Sequence, residues 1–469
     1  MKEKKIAHLD FHFGDDAVQR VVETIVQATQ RAGGRALLVG GCVRDAILGR
    51  QAKDIDVEVY GVSPEGLKHL LSHHFTIDLV GEVFGVLKIH GFPIDVSIPR
   101  RESKSGLGHT AFAIMSDPMM TPTDAARRRD FTINAMAYDP QTKELFDPFN
   151  GLQDLRSHIL RHVDEQFSED SLRVLRGYQF AGRFSLQATR ETLNLCQYLV
   201  TEYDSLAIER IWAEWYKWAA ESQEPSAGLD FLYQCGWLYR YPELVALRGC
   251  PQDSHFHPEG DVWTHTLLVA DQAAHIAVRD GLSQQDRAVL VFSGLCHDLG
   301  KPETTKVLSD RVRSHGHSGT IQTYQKFLQR IGMPRSMMSR VICLCIYHLS
   351  HIDFNGSQRH VRRLAIRLSE GGETLEMLSK LVEADHSGRP PLPKELPCTM
   401  RAMLDVATQL DVQGHAPKPL LMGRHLLEMN MLPGPKMGEL LKAAFEAQLE
   451  GEFESVEGAC QWVQKYVLR

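Results

Sequence analysis

The stretch from Leu37 to Gly61, LLVGGCVRDAILGRQAKDIDVEVYG, constrains this chain more than any other. An apolar run, Ala36 to Val39, ends at Gly40-Gly41 and gives way to Cys42 to Leu48, whose apolar residues fall at helical spacing. The pattern predicts strand, tight glycine turn, helix. A glycine pair at such a junction lets backbone N–H groups and a helix N-terminus approach a phosphate, with Arg44 one turn in to neutralise its charge. Asp54 to Tyr60, DIDVEVY, then alternates, so Asp54 and Asp56 share one face of a predicted strand while Ile55, Val57 and Val59 share the other. Two adjacent carboxylates repel, and a divalent cation between them keeps both ionised.

Around this centre the coarse order is readable. Val18, Val21, Val22, Ile25 and Val26 form one apolar helix face before Gly33-Gly34. A helix from Pro64 to His74 is followed by strand-like runs at Thr76 to Val80, Gly85 to His90 and Ile94 to Ile98, and Asp95 alternates with apolar Ile94 and Val96 in the last of them. Residues 100–123 have no steady period and read as a loop. Asp124 to Tyr138, DAARRRDFTINAMAY, joins three arginines to enough apolar surface to anchor them at the edge of a core. Glu169-Asp170-Ser-Leu-Arg173-Val-Leu-Arg176 opens a helix with acids at its N-terminus and Arg173 and Arg176 on one face.

Taken in the order GGxVRD, LGR and DxD on a strand, the first stretch resembles the nucleotidyltransferase head of the bacterial-type tRNA nucleotidyltransferase and poly(A) polymerase family. The resemblance implies an α+β chain: a polymerase-beta-like mixed sheet with helices, then an all-α neck and further all-α domains. It implies Asp95 as a third acid beside Asp54 and Asp56, holding Mg2+ for transfer, with Gly40, Gly41 and Arg44 on the nucleotide. The RRDFTxNA likeness assigns Arg128, Arg129, Asp130 and Asn134 to the ribose and triphosphate. Asp147-Pro-Phe-Asn-Gly151 with Asp154-Leu155 resembles the family's hinge. The EDxxR likeness makes Glu169, Asp170, Arg173 and Arg176 the base-selecting helix: a carboxylate accepts from the amino group that cytosine and adenine share, and a guanidinium donates to ring acceptors. In this family residues 100–123 correspond to a flexible segment that helps the site pass from CTP to ATP. Ile208 to Trp215 matches the next family helix, with a structural role.

After a loop at 251–262 the chain becomes rich in histidine-bearing helices. His265, His297-Asp298 within GLCHDLGK, and Asp385 within VEADHSGR offer a mixed nitrogen and oxygen ligand set for a divalent metal on a helical bundle. This ordered set resembles the HD phosphohydrolase superfamily, with His317 and His348 as candidates for a second metal position and Lys301 one turn from Asp298. A metal there (Ni, Mn, Co or Fe) would activate water against a phosphoester. The proline-rich GRPPLPKELP, from Gly388 to Pro397, links to a last helix, turn, helix segment.

At 469 residues the chain is long enough for about three domains. Residues 1–150 read as the head, 151–250 as the neck, 251–390 as the HD domain and 391–469 as a helical tail contacting the tRNA body. The net charge of −7 means that RNA contact must come from a local basic surface rather than from a global field. No apolar run reaches membrane-spanning length, and MKEKKIAHLDFHFGDD has no apolar core behind its lysines, so a cytoplasmic location is expected. The nine cysteines include no CxxC pair and sit mostly in apolar contexts, as reduced core thiols do. The expected activity is template-independent addition of C, C and A from CTP and ATP to tRNA 3′ ends, with an HD domain able to hydrolyse phosphate or 2′,3′-cyclic phosphate ends. An enzyme adding adenosine alone, a poly(A) polymerase and a non-catalytic tRNA-binding protein are the alternatives.

Overall fold

The computed structural model describes residues 5–6, 11, 15–81, 85–104, 112–308, 312–314, 316 and 320–467. They form two compact units, one of residues 1–214 and 230–237 and the other of residues 215–229 and 238–469.

The first unit is built on a mixed sheet of eight strands: β1 (Lys5–Ile6), β2 (Arg35–Val39), β3 (Ile55–Tyr60), β4 (Ile77–Gly81), β5 (Val86–Ile89) and β6 (Ile94–Ser97), completed by two strands further along the chain. Those follow a separate antiparallel ribbon, β7 (Arg100–Lys104) with β8 (Phe112–Ser116), and are β9 (Ala137–Asp139) and β10 (Glu144–Phe146). The spatial order is β1-β10-β9-β2-β3-β6-β5-β4, with β3 and β6 parallel and the other pairs antiparallel. Its central strands read as near-continuous apolar runs because they are covered on both faces: Leu37, Leu38, Val57 and Val59 have no exposed surface. The helix Asp16–Arg31 lays Val18, Val21, Val22, Ile25 and Val26 into this core, and Asp15 caps it by accepting from the amides of Ala17 and Val18 at 2.9 Å.

The predicted strands and the two helices flanking them are present to within a residue or two at their ends. Residues 100–123 are the exception: instead of a loop they hold the ribbon of β7 and β8, paired from Arg100 with Ser116 to Lys104 with Phe112. Its strands are short, and pairing across an interval of several residues leaves no local period to detect. After the sheet come helices at Gly151–Arg156, Leu172–Phe184 and Arg190–Tyr198, with a small parallel ribbon of Ile159–Leu160 and Gln187–Ala188 between them.

The second unit is mostly helical, and among its described residues the strands Thr305–Val307 and Val312–Ser314 pair antiparallel. Trp215 and Trp218, on the helix expected to be structural, lie with Tyr241, Phe292 and Phe327 in an aromatic cluster whose ring centroids stand 5.0 to 6.4 Å apart. The Trp215 indole N–H donates to the Tyr241 hydroxyl at 3.0 Å, so the buried polar ends satisfy one another. The helices Val262–Arg279, Gln284–Cys296 and Leu375–Ser387 pack mutually and carry the histidine-aspartate set. Helices Gly423–Glu428, Pro435–Glu450 and Val456–Val467 close around their own core of Leu421, Leu426, Leu440, Ala444, Phe453 and Val463. Seven of the nine cysteines are buried and all nine are unpaired; burial pushes the thiols of Cys42, Cys235 and Cys343 up to about 12.

Candidate active sites

In the first unit Gly40 carries the turn out of β2, at φ +75°, a region open to glycine at no steric cost. A Cβ there would lie 2.7 Å from Nη1 of Arg129 and 3.6 Å from Oδ2 of Asp56, so the glycine lets an arginine and a carboxylate close over the turn. Gly41 begins the helix Gly41–Ile47, as the spacing predicts.

Asp56 lies on β3 directly opposite Asp95 on the parallel β6, and opposite Val39 on β2. Asp54 stands in the bend just before β3 rather than in the strand itself, and is exposed. Asp56 is open to solvent but has protein on enough sides that desolvation is the largest influence raising its pKa; Asp95, Asp54 and Glu58 add to the rise, and Arg129 opposes it. That concentration of carboxylates is what a divalent cation relieves, and an all-oxygen donor set suits Mg2+. Lys88, across from Asp95 on β5, donates to both its oxygens, at 2.9 and 2.8 Å, and supplies the counter-charge in this structure.

Glu58, two residues along from Asp56, was passed over in the sequence because it read as one more polar residue of an alternating strand. It is buried, accepts from the Tyr60 hydroxyl at 2.6 Å, and lies 3.6 Å from Arg128 and 3.9 Å from Arg129. The carboxylate thus anchors both arginines at the edge of the core.

Arg44 is buried, donating to Oδ1 of Asn134 at 2.5 Å and to Asp45 at 2.7 and 2.9 Å, with its guanidinium 4.5 Å from the Phe184 ring centre. It ties the glycine-led helix to the RRDFTIN segment and to the helix Leu172–Phe184. Asp130 is equally enclosed: it accepts from the Phe131 amide at 2.8 Å, from Asn134 at 3.0 Å and from Arg176 at 2.7 Å. Burial alone would raise its pKa, but Arg176 and these donors outweigh burial and lower it. Asn134 therefore bridges Arg44 and Asp130. The turn from Asp147 to Gly151 is equally specific: Asp147 accepts from the amides of Gly151 and Leu152 at 2.6 and 3.0 Å, and a Cβ at Gly151 would fall 2.0 Å from the Thr132 carbonyl oxygen.

Asp170 accepts from the Leu172 amide at 3.1 Å and from Arg210 at 2.7 Å. Arg173 donates to the carbonyls of Gln166 and Arg128, each at 2.8 Å, which fastens the helix Leu172–Phe184 to the arginine block. Glu169 ends the short 3-10 turn Glu165–Glu169. Arg210 is a second residue that the sequence did not single out; its pairing with Asp170 spans 40 positions.

In the second unit the histidine-aspartate set converges. His265 Nε2 lies 3.2 Å from His297 Nε2, 3.1 Å from Asp385 Oδ1 and 3.8 Å from Asp298 Oδ2; His297 Nε2 is 3.2 Å from Asp298. Ligand atoms of His265, His297 and Asp385 all fall within 4.8 Å of one another, and these donors fit a divalent transition metal. His297 and His348 each turn Nδ1 to the carbonyl three residues back, Gly294 at 2.8 Å and Cys345 at 2.7 Å, and their ring centroids are 5.3 Å apart. His317 lies outside the described residues. Lys301 sits 2.7 Å from Asp298, and Arg389, missed in the sequence, 2.6 Å from Asp385. Burial would raise the Asp385 pKa; Arg389 and the two histidines hold it well below the usual carboxylate range instead. A cavity of about 520 Å³ opens onto Asp298, Lys301, His348, Asp385 and Arg389, leaving room for a phosphoester beside the donor set.

Residues 36–161 match the family described as the poly A polymerase head domain, and residues 262–402 match the HD domain. The chain is 39% identical over 321 residues to the multifunctional CCA protein of Laribacter hongkongensis (strain HLHK9), a match covering 68% of this chain and 75% of that protein. With the protein of the same name from Xylella fastidiosa (strain 9a5c) it shares 35% over 364 residues, 76% of this chain and 84% of the relative. The fold is similar to that of the Bacillus stearothermophilus CCA-adding enzyme in complex with CTP, with a TM-score of 0.64 at 19% identity, covering 97% of this chain and 98% of the other. It is also similar to the Thermotoga maritima CCA-adding enzyme complexed with tRNA, with a TM-score of 0.56 at 17% identity over 97% and 96%.

Proposed function

Because the chain belongs to the multifunctional CCA protein family, we propose that it adds C, C and A, taken from CTP and ATP, to tRNA 3′ ends without a nucleic-acid template. The observation that carries this reading is the juxtaposition of Asp56 and Asp95 in one strand register beside the Gly40 turn, with Arg129 closing over the glycine. Asp54, Asp56 and Asp95 would hold Mg2+, which supplies an acidified terminal 3′-OH and neutralisation of the triphosphate. Arg128 and Arg129, anchored by Glu58, are placed to draw the triphosphate against the glycine turn. Asp130 and Asn134 hold that block in place from within the core.

Base choice falls to Asp170 and Arg173. Their contacts with Arg210 and with backbone carbonyls leave a carboxylate with spare acceptor sites and a guanidinium with spare N–H groups. Cytosine and adenine present an amino group to the carboxylate. Uracil and guanine would set a carbonyl against it, an unmade hydrogen bond costing about 1–3 kcal/mol where water is excluded. The helical tail at 391–469 is the part assigned to the tRNA body, with the head at 1–150, the neck at 151–250 and the HD domain at 251–390. In the last, His265, His297, Asp298 and Asp385 would hold a divalent metal (Ni, Mn, Co or Fe), with His348 and His317 as a second position, for hydrolysis of phosphate or 2′,3′-cyclic phosphate ends. No described helix is long and apolar enough to cross a membrane. A tRNA-processing role places the protein in the cytoplasm.

The test is Asp56→Ala. A variant with an unchanged circular dichroism spectrum and no nucleotide addition is expected; appreciable addition by the folded variant would remove Asp56 from the chemistry and the proposal with it.

A further inference from the structure

His265 has two ring nitrogens and the structure uses them differently. Nε2 faces His297, Asp298 and Asp385, while Nδ1 lies 2.7 Å from Oε1 of Glu259. The same Glu259 oxygen lies 2.9 Å from Nδ1 of His257, and its side chain is 1% exposed. Glu259 belongs to the loop at 251–262, two residues before Asp261, which caps the helix Val262–Arg279 by accepting from the Thr264 amide at 2.9 Å and accepts from the Gly249 amide at 2.7 Å. That cap sets the loop against the first turn of the helix, where His265 lies.

His257, Glu259 and His265 also place ligand atoms within 4.8 Å of one another, so this trio could itself be taken for a metal site. The chemistry of His265 decides between the two uses. A neutral imidazole has one acceptor nitrogen and one N–H. If Nε2 is a ligand to the inner set, Nδ1 carries the proton and needs an acceptor, and a second metal at Nδ1 would require the ring to give that proton up. His297 and His348 follow the same rule, each turning Nδ1 to a backbone carbonyl. His265 alone of the three has a carboxylate in that place.

We propose that Glu259 is a positioning residue for the HD site: it accepts the Nδ1–H of His265, directs Nε2 into the ligand set and makes the ring a stronger donor, with His257 holding the same carboxylate oxygen in place. The inference rests on His265, His297, Asp298 and Asp385 being the metal-holding set. Outer carboxylates of this kind typically account for about 10–100-fold in metal affinity.

The experiment is calorimetric titration of the intact protein with Ni2+ alone, comparing wild type with Glu259→Gln and His257→Asn. The expected result is a 10–100-fold weaker affinity in Glu259→Gln, with the number of ions bound per chain at saturation unchanged, and a smaller loss in His257→Asn. Unchanged affinity in Glu259→Gln would overturn the inference while leaving the metal site standing. Loss of one bound ion per chain would overturn it in favour of a metal on the outer trio. No binding by wild type would overturn the HD reading itself. Should Glu259→Gln not fold, 15N spectra of the histidines in Zn2+-loaded wild type serve instead: a protonated Nδ1 and metal-bound Nε2 at His265 are expected, and metal on both nitrogens overturns the inference.

Discussion

Asp130 is enclosed by protein and kept ionised by Arg176, a partner 46 positions away. The sequence identified both residues but assigned them to different motifs; that they form one pair depends on the helix Leu172–Phe184 packing against the RRDFTIN segment, which no local period encodes. Arg44 makes the same point. Its place in GGxVRD gave no sign of the partners that hold it, Asn134, 90 positions on, and the Phe184 ring. Removing Arg176 leaves a buried carboxylate without its counter-ion, so Arg176→Ala should cost about 3–5 kcal/mol in urea unfolding near neutral pH. The folded-state pKa of Asp130 lies below its unfolded value, so its contribution is present above the ordinary aspartate value of about 3.9 and is lost as pH falls through the folded one. In the variant, burial reverses the shift and protonation then favours the folded state, so the deficit should shrink on acidification. A cost below about 1 kcal/mol, the size of an ordinary surface change, would mean that Asp130 does not depend on this partner.

At the scale of elements, strands and helices with a clear period were legible: the valine face of Asp16–Arg31, the strands on either side of Asp56 and Asp95, and the helices bearing His265 and Asp385. The β7 and β8 ribbon was not, because its pairing lies across the intervening residues. The loop at 251–262 was legible as a loop but not as the carrier of Glu259, since an HxE pair in a polar stretch has no distinctive period. Asp271, on the helix Val262–Arg279, shows how elements are joined: it accepts from the Ser226 amide at 2.8 Å and from its hydroxyl at 2.6 Å. Burial pushes its pKa up to about 7, with Glu224 adding to the rise against the Ser226 donors. Because the folded pKa is raised, the group's contribution is complete below about 3.9, the unfolded value, and is lost as pH rises through about 7. Asp271→Asn keeps an acceptor and removes the titration. The melting temperature of wild type relative to this variant should therefore fall as pH rises from about 5 to 8; a difference that stays constant over that range would contradict the account.

At the scale of the molecule, two candidate sites sit on two folding units, and each has a compact motif in the sequence: the glycine turn with its acids in one, the histidine-aspartate set in the other. The division between the units falls inside the continuous helix Ile208–Glu221, where no shift in composition marks it. What the first unit makes can be read directly from its products. The most direct test is mapping, nucleotide by nucleotide, the products formed from tRNA transcripts ending at the discriminator base, after C, and after CC, with each NTP in turn and all together, in Mg2+. The account predicts C, C and A in that order followed by arrest, with UTP and GTP refused. Extension of the CC-ended transcript alone, long adenosine tails, or no extension by the folded protein would contradict it.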